Sequence, residues 1–270
     1  GELMDYQFLT ITRQGRIVVV QLNRPEERNA LCAGLIRELI GVTNQIRGEL
    51  SASVVVLCGQ DGFFSAGFDL KDPEIVRILQ EPLSLRRRLF QELGPRMCQV
   101  WQDLPQVTIV ALEGYCIGGA VSLALSCDFR LMAEKAHLRI PEINLGMNYS
   151  WGSLPRLVNL VGPAKTKQWV MLAEKIEAAE AFQSGFAQWI VPNGQTLEKA
   201  RELAEKIARK PQSPILMTKQ TVNALTTVNQ SIGHMDADQF ALTVLSEDFQ
   251  EGIDAFLHKR KPEFNKYPPK

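Results

Sequence analysis

The sequence predicts an α/β protein, and three observations carry that reading. Through the first 150 residues, short strand-type runs alternate with segments of helical period, in the order strand, strand, helix, repeated with variation. Beyond about residue 150 the periodic segments are helical. The chain has 270 residues, 45% apolar and 22% charged, which suits one large domain or one domain with a smaller appendage and is ample for a buried core.

Each element follows from local pattern. Tyr6–Thr12 alternates, and Arg16–Leu22 contains Ile17-Val18-Val19-Val20; Gln14-Gly15 supplies the turn of a hairpin between them. Asn23–Leu31 is a polar loop ending in a helix, where Leu35, Ile36, Leu39, Ile40, Val42 and Ile46 keep the helical period. Ser53–Cys58 is a short continuous apolar run and suits a strand buried on both faces. Gly59–Asp69 is a glycine- and aromatic-rich loop, so it packs against something buried. Residues 74–102 read as helical, with an interruption at Pro95 and a mobile stretch around Pro82. Val107–Leu112 is another buried strand; it leads into a glycine loop at Gly114–Ala120 and a small-residue helix through Ser126. Phe129–Ala133 and His137–Ile140 are further strands. Helices are predicted over 152–161, 163–173, 177–185, 196–209, 214–226, 231–247 and 248–259, with Pro163, Pro192, Pro211 and Pro214 at the breaks. Leu197, Ala200, Leu203, Ala204 and Ile207 form an apolar stripe that reads as ordinary core.

Composition excludes several classes. Thirty basic residues balance thirty acidic ones, so no general electrostatic attraction to nucleic acid is expected. The three histidines, His137, His234 and His258, lack metal-ligand spacing, so no metal site is expected. Five cysteines (Cys32, Cys58, Cys98, Cys116, Cys127) form no C-x-x-C pair and sit among apolar neighbours; they read as reduced core residues rather than nucleophiles. No apolar stretch reaches the roughly 20 residues that span a bilayer. Gly1–Asp5 shows no signal-peptide pattern, and the expected location is the cytoplasm.

Two glycine loops each follow a buried strand: Ser65-Ala66-Gly67-Phe68-Asp69 and Ile117-Gly118-Gly119-Ala120, the second opening a helix. Glycines let a ligand approach the backbone, and the first amides of a helix have no internal partner. Two such N–H groups aimed at one oxygen stabilise charge as it develops there. Tight turns explain most glycine pairs, so either loop alone is a weak signal. Phosphate-loop, dinucleotide-binding and serine-elbow signatures are absent.

In combination the motifs resemble the crotonase (enoyl-CoA hydratase/isomerase) superfamily. The matching pieces are Leu22-Asn23-Arg24-Pro25 with Asn29-Ala30-Leu31, Phe64-Ser65-Ala66-Gly67-Phe68-Asp69-Leu70, Gly114–Ala120, Cys127-Asp128-Phe129-Arg130, Pro141-Glu142-Ile143-Asn144-Leu145-Gly146, and a tail over Glu251–Pro262. They occur in order over nearly the whole chain. The resemblance implies a spiral of ββα units over 1–205 and a helical C-terminal region over 206–270 that mediates a homotrimer, often paired into a hexamer. It implies an acyl-CoA thioester substrate, with coenzyme A part of the substrate and no separate cofactor. It places the oxyanion donors at the N–H groups of Phe68 and Gly119, the Ala66 backbone beside the adenine, and Phe256 and Lys259 over the CoA nucleotide. Lys259 reads equally as a solvated charge in Lys259-Arg260-Lys261. Arg28 is a candidate for a CoA phosphate and equally a surface charge.

The sequence also departs from the family. A hydratase of this family generally uses two glutamates; here the second is Glu142, but the first position holds Ser122. One carboxylate suffices for Δ3–Δ2 enoyl-CoA isomerisation, in which a single base moves a proton between two carbons. Glu142 is therefore the expected acid/base, given an apolar pocket that raises its pKa. Ser122 is expected to hydrogen-bond or fill space. Serine at this position also occurs in hydratase-lyases, so a hydratase or hydratase-lyase is the alternative. A non-catalytic CoA- or RNA-binding member of the fold is the reading from another class. Asn148-Tyr149-Ser150-Trp151-Gly152 is atypical for the family; Tyr149 and Trp151 are expected either to shape the acyl pocket or to be plain core aromatics.

Overall fold

The computed structural model describes residues 6–60, 62–227 and 233–264. Its elements are β1 (Leu9–Gln14), β2 (Ile17–Leu22), α1 (Ala33–Arg47), β3 (Val54–Cys58), α2 (Pro73–Gln80), α3 (Leu83–Gln91) and α4 (Gly94–Gln102). They continue with β4 (Val107–Leu112), β5 (Tyr115–Ile117), α5 (Gly119–Leu125), β6 (Phe129–Ala133), β7 (His137–Arg139), α6 (Ser153–Leu172) and β8 (Ile176–Glu177). The remainder is α7 (Ala178–Gln183), β9 (Trp189–Val191), α8 (Thr196–Ala208), α9 (Gln212–Thr227), α10 (Gly233–Thr243) and α11 (Glu247–Leu257).

The expected α/β architecture is present as two sheets. The larger has strand order β1-β2-β3-β4-β6-β9. It is parallel from β2 onward, with Val19 beside Val56 and Val56 beside Ile109. The smaller is β5-β7-β8. The apolar runs explain the burial on both faces, because successive side chains leave a strand on opposite sides. Val18, Val20, Val55, Leu57, Val110 and Leu112 join the core under α1, α4 and α5. Val19, Val54, Val56 and Ile109 pack instead with Ala200 and Ala204 of α8, so the stripe predicted in that helix is core.

The expected breaks are largely present. Residues 74–102 divide beside both prolines: Pro82 joins α2 to α3, and Pro95 stands in the first turn of α4, where its missing N–H costs nothing. The break expected at Pro163 is a kink at Gly162 (φ 78°, ψ 166°) inside α6, whereas the one at Pro214 moves, since Pro214 lies within the first turn of α9. Finally, β5, β8 and β9 are strands of two or three residues that no periodic pattern reveals. The helix predicted over 231–247 is α10 with the start of α11, and its first two residues lie outside the described segments. No described helix is long and apolar enough to cross a membrane.

Candidate active site

Both glycine loops leave the larger sheet at the ends of parallel strands and meet. The first is pinned by backbone bonds: the Ser65 N–H to the Tyr115 carbonyl, the Ile117 N–H to the Ser65 carbonyl, the Ala66 N–H to the Arg28 carbonyl, and the Leu31 N–H to the Gly67 carbonyl. Phe64 is fully buried and Phe63 stacks on Tyr115 at 5.3 Å, which is why this loop carries aromatics. The buried Asn29 side chain donates to the Phe64 carbonyl at 3.1 Å, and Arg24 Nη1 pairs with Asp69 at 2.7 Å. The asparagine and arginine of the first motif thus hold the second motif in place. Gly67 (φ 90°) runs so close to Ile117 that a β-carbon would collide with its carbonyl and lie 3.6 Å from the Gly119 nitrogen. Among the described residues, no acceptor is bonded to the backbone N–H of Phe68 or of Gly119.

Phe68, Gly119, Ser122, Glu142, Tyr149 and Trp151 line one cavity, together with Met147, Asn148, Ser150 and Phe240. Glu142 opens the short helical turn that follows β7, and the N–H of Gly118 bonds the Arg139 carbonyl at the end of that strand at 2.8 Å. α11 buttresses this turn, for Gly252 lies against Leu145 so closely that a β-carbon would come 2.5 Å from its carbonyl carbon. Glu142 is half-buried as a residue, but its Oε2 is sealed from solvent and has no hydrogen-bond partner. Oε1 lies against Gly118, where an added β-carbon would approach to 2.6 Å. Burial pushes the carboxyl from an ordinary 4.5 to about 8.

Ser122 and Tyr149 meet. The Ser122 hydroxyl donates to the Tyr149 phenol at 3.1 Å, and both residues are almost wholly buried. Burial first, and the Glu142 charge second, raise the phenol far above its ordinary range; Ser122 and the adjoining Ser153 act the other way. The Ser153 oxygen nevertheless makes no hydrogen bond of ordinary geometry, so only Ser122 is a firm partner. Sequence reasoning missed this pair, because nothing in the spacing of 122 and 149 links them. It also missed Asp236. That carboxylate accepts from the Gly152 N–H at 2.7 Å and is pushed to about 6 by burial, against the lowering effects of Gly152 and Arg156.

The remaining expected residues lie apart from this cavity. Ala66 is half-buried beside Arg28, whose side chain is exposed and whose backbone is left-handed (φ 54°). Phe256 is 50% exposed near the end of α11, and Lys259 is exposed just beyond it. All five cysteines are buried, and burial raises every thiol, Cys58 and Cys127 to about 12. Among the described residues no group of three or more His, Cys, Asp or Glu side chains is placed to hold a metal.

Two glycine-backed loops at strand ends, with a desolvated glutamate facing them, define an enzyme of the crotonase type. The chain belongs to the enoyl-CoA hydratase/isomerase family, whose profile matches residues 12–267. It is 34% identical over 260 residues to the 2,3-dehydroadipyl-CoA hydratase of Escherichia coli K12, covering 95% of this chain and 98% of that one. Among solved structures, an enoyl-CoA hydratase from Bacillus anthracis has a TM-score of 0.73 at 31% identity, covering 96% of this chain and 99% of that one. An enoyl-CoA hydratase from Mycobacterium avium subsp. paratuberculosis K-10 has a TM-score of 0.84 at 24% identity, covering 97% and 100%, and shares the fold.

Proposed function

We propose that the protein is an enoyl-CoA isomerase that moves the double bond of an acyl-CoA thioester from Δ3 to Δ2, with Glu142 as its single acid/base. One observation carries this reading: among the described residues lining the cavity, Glu142 is the only carboxylic acid. The thioester oxygen accepts hydrogen bonds from the N–H groups of Phe68 and Gly119. Ionised Glu142 removes a proton from the carbon next to the thioester, and the electron pair moves onto the oxygen. The two N–H donors act where this charge grows. The enolate then collapses with the double bond shifted, and Glu142 returns the proton to the far carbon. A carboxyl held near 8 suits both halves, since neither its charged nor its neutral form is overwhelmingly favoured at working pH.

In the same proposal Ala66 lies beside the adenine, and Arg28, Phe256 and Lys259 meet the CoA nucleotide. Residues 206–270 support a homotrimer or hexamer, no cofactor beyond the substrate's own CoA takes part, and the enzyme works in the cytoplasm. The test is turnover of 3-enoyl-CoA to the conjugated 2-enoyl product, followed by absorbance. Wild type is expected to convert it, and Glu142→Gln to lose about 10²–10⁴-fold in kcat. Full activity in that variant would overturn the proposal.

A second reading is supported by the Ser122–Tyr149 hydrogen bond, which puts two hydroxyls on the wall of the cavity that holds Glu142. Those hydroxyls suit a bound water, as a hydratase or hydratase-lyase requires. Formation of a hydroxyacyl product from 2-enoyl-CoA, lost in Tyr149→Phe, would establish this reading instead. Thioester binding without turnover of either substrate would point to a non-catalytic member of the family.

A further inference from the structure

Trp151 lines the cavity of Glu142 and packs against Gly119. Its φ is 65°, a left-handed backbone that a bulky residue rarely adopts. The neighbouring chain fixes it there. Arg156 Nη1 donates to the Trp151 and Gly152 carbonyls, each at 3.0 Å, and the Gly152 N–H donates to Asp236. The indole lies in a slot walled by two glycines. A β-carbon on Gly119 would come 2.6 Å from the ring, and one on Gly94 would come closer still. The Phe68 ring meets the indole edge-on, with centroids 5.3 Å apart at 86°.

The cavity beside Glu142 is small, about 30 Å³. A second cavity, of about 400 Å³, lies between α3, α4 and α10; its walls mix Phe90, Val100 and Ala237 with the charged Arg87, Arg96 and Asp236. The two cavities share Ser150, Trp151 and Phe240. Trp151 thus stands between the two cavities, together with Ser150 and Phe240.

We infer that Trp151 is the residue that sets acyl-chain length. It confines the acyl group to a short chain against the indole, and the larger cavity is an extension of the acyl site that the indole closes off. The substrate class is accordingly short-chain acyl-CoA thioesters. Removing the indole joins the cavities and admits a longer straight chain. The inference rests on the acyl-CoA reading proposed above.

The test is calorimetric titration of butyryl-, hexanoyl- and decanoyl-CoA into wild type, Trp151→Phe and Trp151→Ala. These saturated thioesters bind without isomerising or hydrating, so the result does not depend on which reaction is catalysed. Wild type is expected to bind butyryl-CoA at least tenfold tighter than decanoyl-CoA. Trp151→Ala is expected to tighten decanoyl-CoA at least tenfold, since more methylenes are then buried, and Trp151→Phe to fall between. Should the alanine variant fail to fold, the phenylalanine variant alone must shift the preference in the same direction. Equal binding of short and long chains by wild type, or an unchanged preference in the variants, would overturn the inference and leave the acyl-CoA reading standing. Failure of every thioester to bind wild type would overturn the acyl-CoA reading itself.

Discussion

Replacing Glu142 by glutamine should stabilise the fold while it abolishes activity, and the stabilisation should depend on pH. Burial holds the folded carboxyl at about 8 against an ordinary 4.5. Over that window the folded state keeps a proton that the unfolded state releases, so stability falls as pH rises. The sign is that of a raised carboxyl: its contribution is complete below 4.5 and is lost as pH climbs through about 8. At about 1.4 kcal/mol per tenfold, the loss reaches about 3 kcal/mol at pH 7 and about 5 kcal/mol well above pH 8. Glutamine keeps the shape and never ionises. The expected result is therefore a pair of melting curves that nearly coincide near pH 4 and separate by about 5 °C at pH 7, given the unfolding entropy of a chain this long. The assay is thermal unfolding of both proteins at several pH values. Curves that stay parallel, or a variant that melts lower at pH 8, would refute the claim that the Glu142 charge is desolvated.

Four further outcomes follow from the same structure. Gly118→Ala should cost about 1–3 kcal/mol, because φ 53° and ψ −117° suit glycine alone. It should also lower kcat about 10²-fold by displacing the Glu142 carboxylate, with CoA-thioester affinity largely kept; calorimetry and turnover separate the two. Arg130→Met should destabilise by about 3 kcal/mol, read from the urea midpoint, since the buried guanidinium donates to the Phe186 and Cys127 carbonyls at 2.6 Å, which would lose their donor. The native protein should react with a thiol reagent only after unfolding, because burial raises all five thiols. The kcat/KM for 3-enoyl-CoA should rise with pH to a plateau above an inflection near 8, the pH at which Glu142 becomes a base.

Much of this was legible in the chain because it lies in runs and neighbours. Ile17–Val20 and Val54–Leu57 announce strands whose two faces are both buried, and they are the centre of the larger sheet. The two glycine loops could be read because each directly follows such a strand. Glu142 stood out by its motif, and the gap at Ser122 by contrast with it. Pro95 marked the break between α3 and α4, standing in the first turn of the new helix, where proline is welcome. The strand Trp189–Val191 escaped notice, because three residues carry no period. The Ser122–Tyr149 bond, the Asp236 clamp on Gly152 and the Gly94 side of the indole slot join residues far apart in sequence. They arise from packing, which no local pattern encodes. The Arg130 motif was visible, yet its guanidinium serves buried backbone carbonyls and does not line the cavity of Glu142.

The central claim is that one carboxylate carries the proton from one carbon to the other. The most direct measurement gives the enzyme 3-enoyl-CoA deuterated next to the thioester, in ordinary water, and locates the label in the 2-enoyl product. The account predicts a measurable fraction of deuterium at the far carbon with wild type and none above background with Glu142→Gln. Product from wild type with no transferred label, or label transferred equally by the variant, would contradict it.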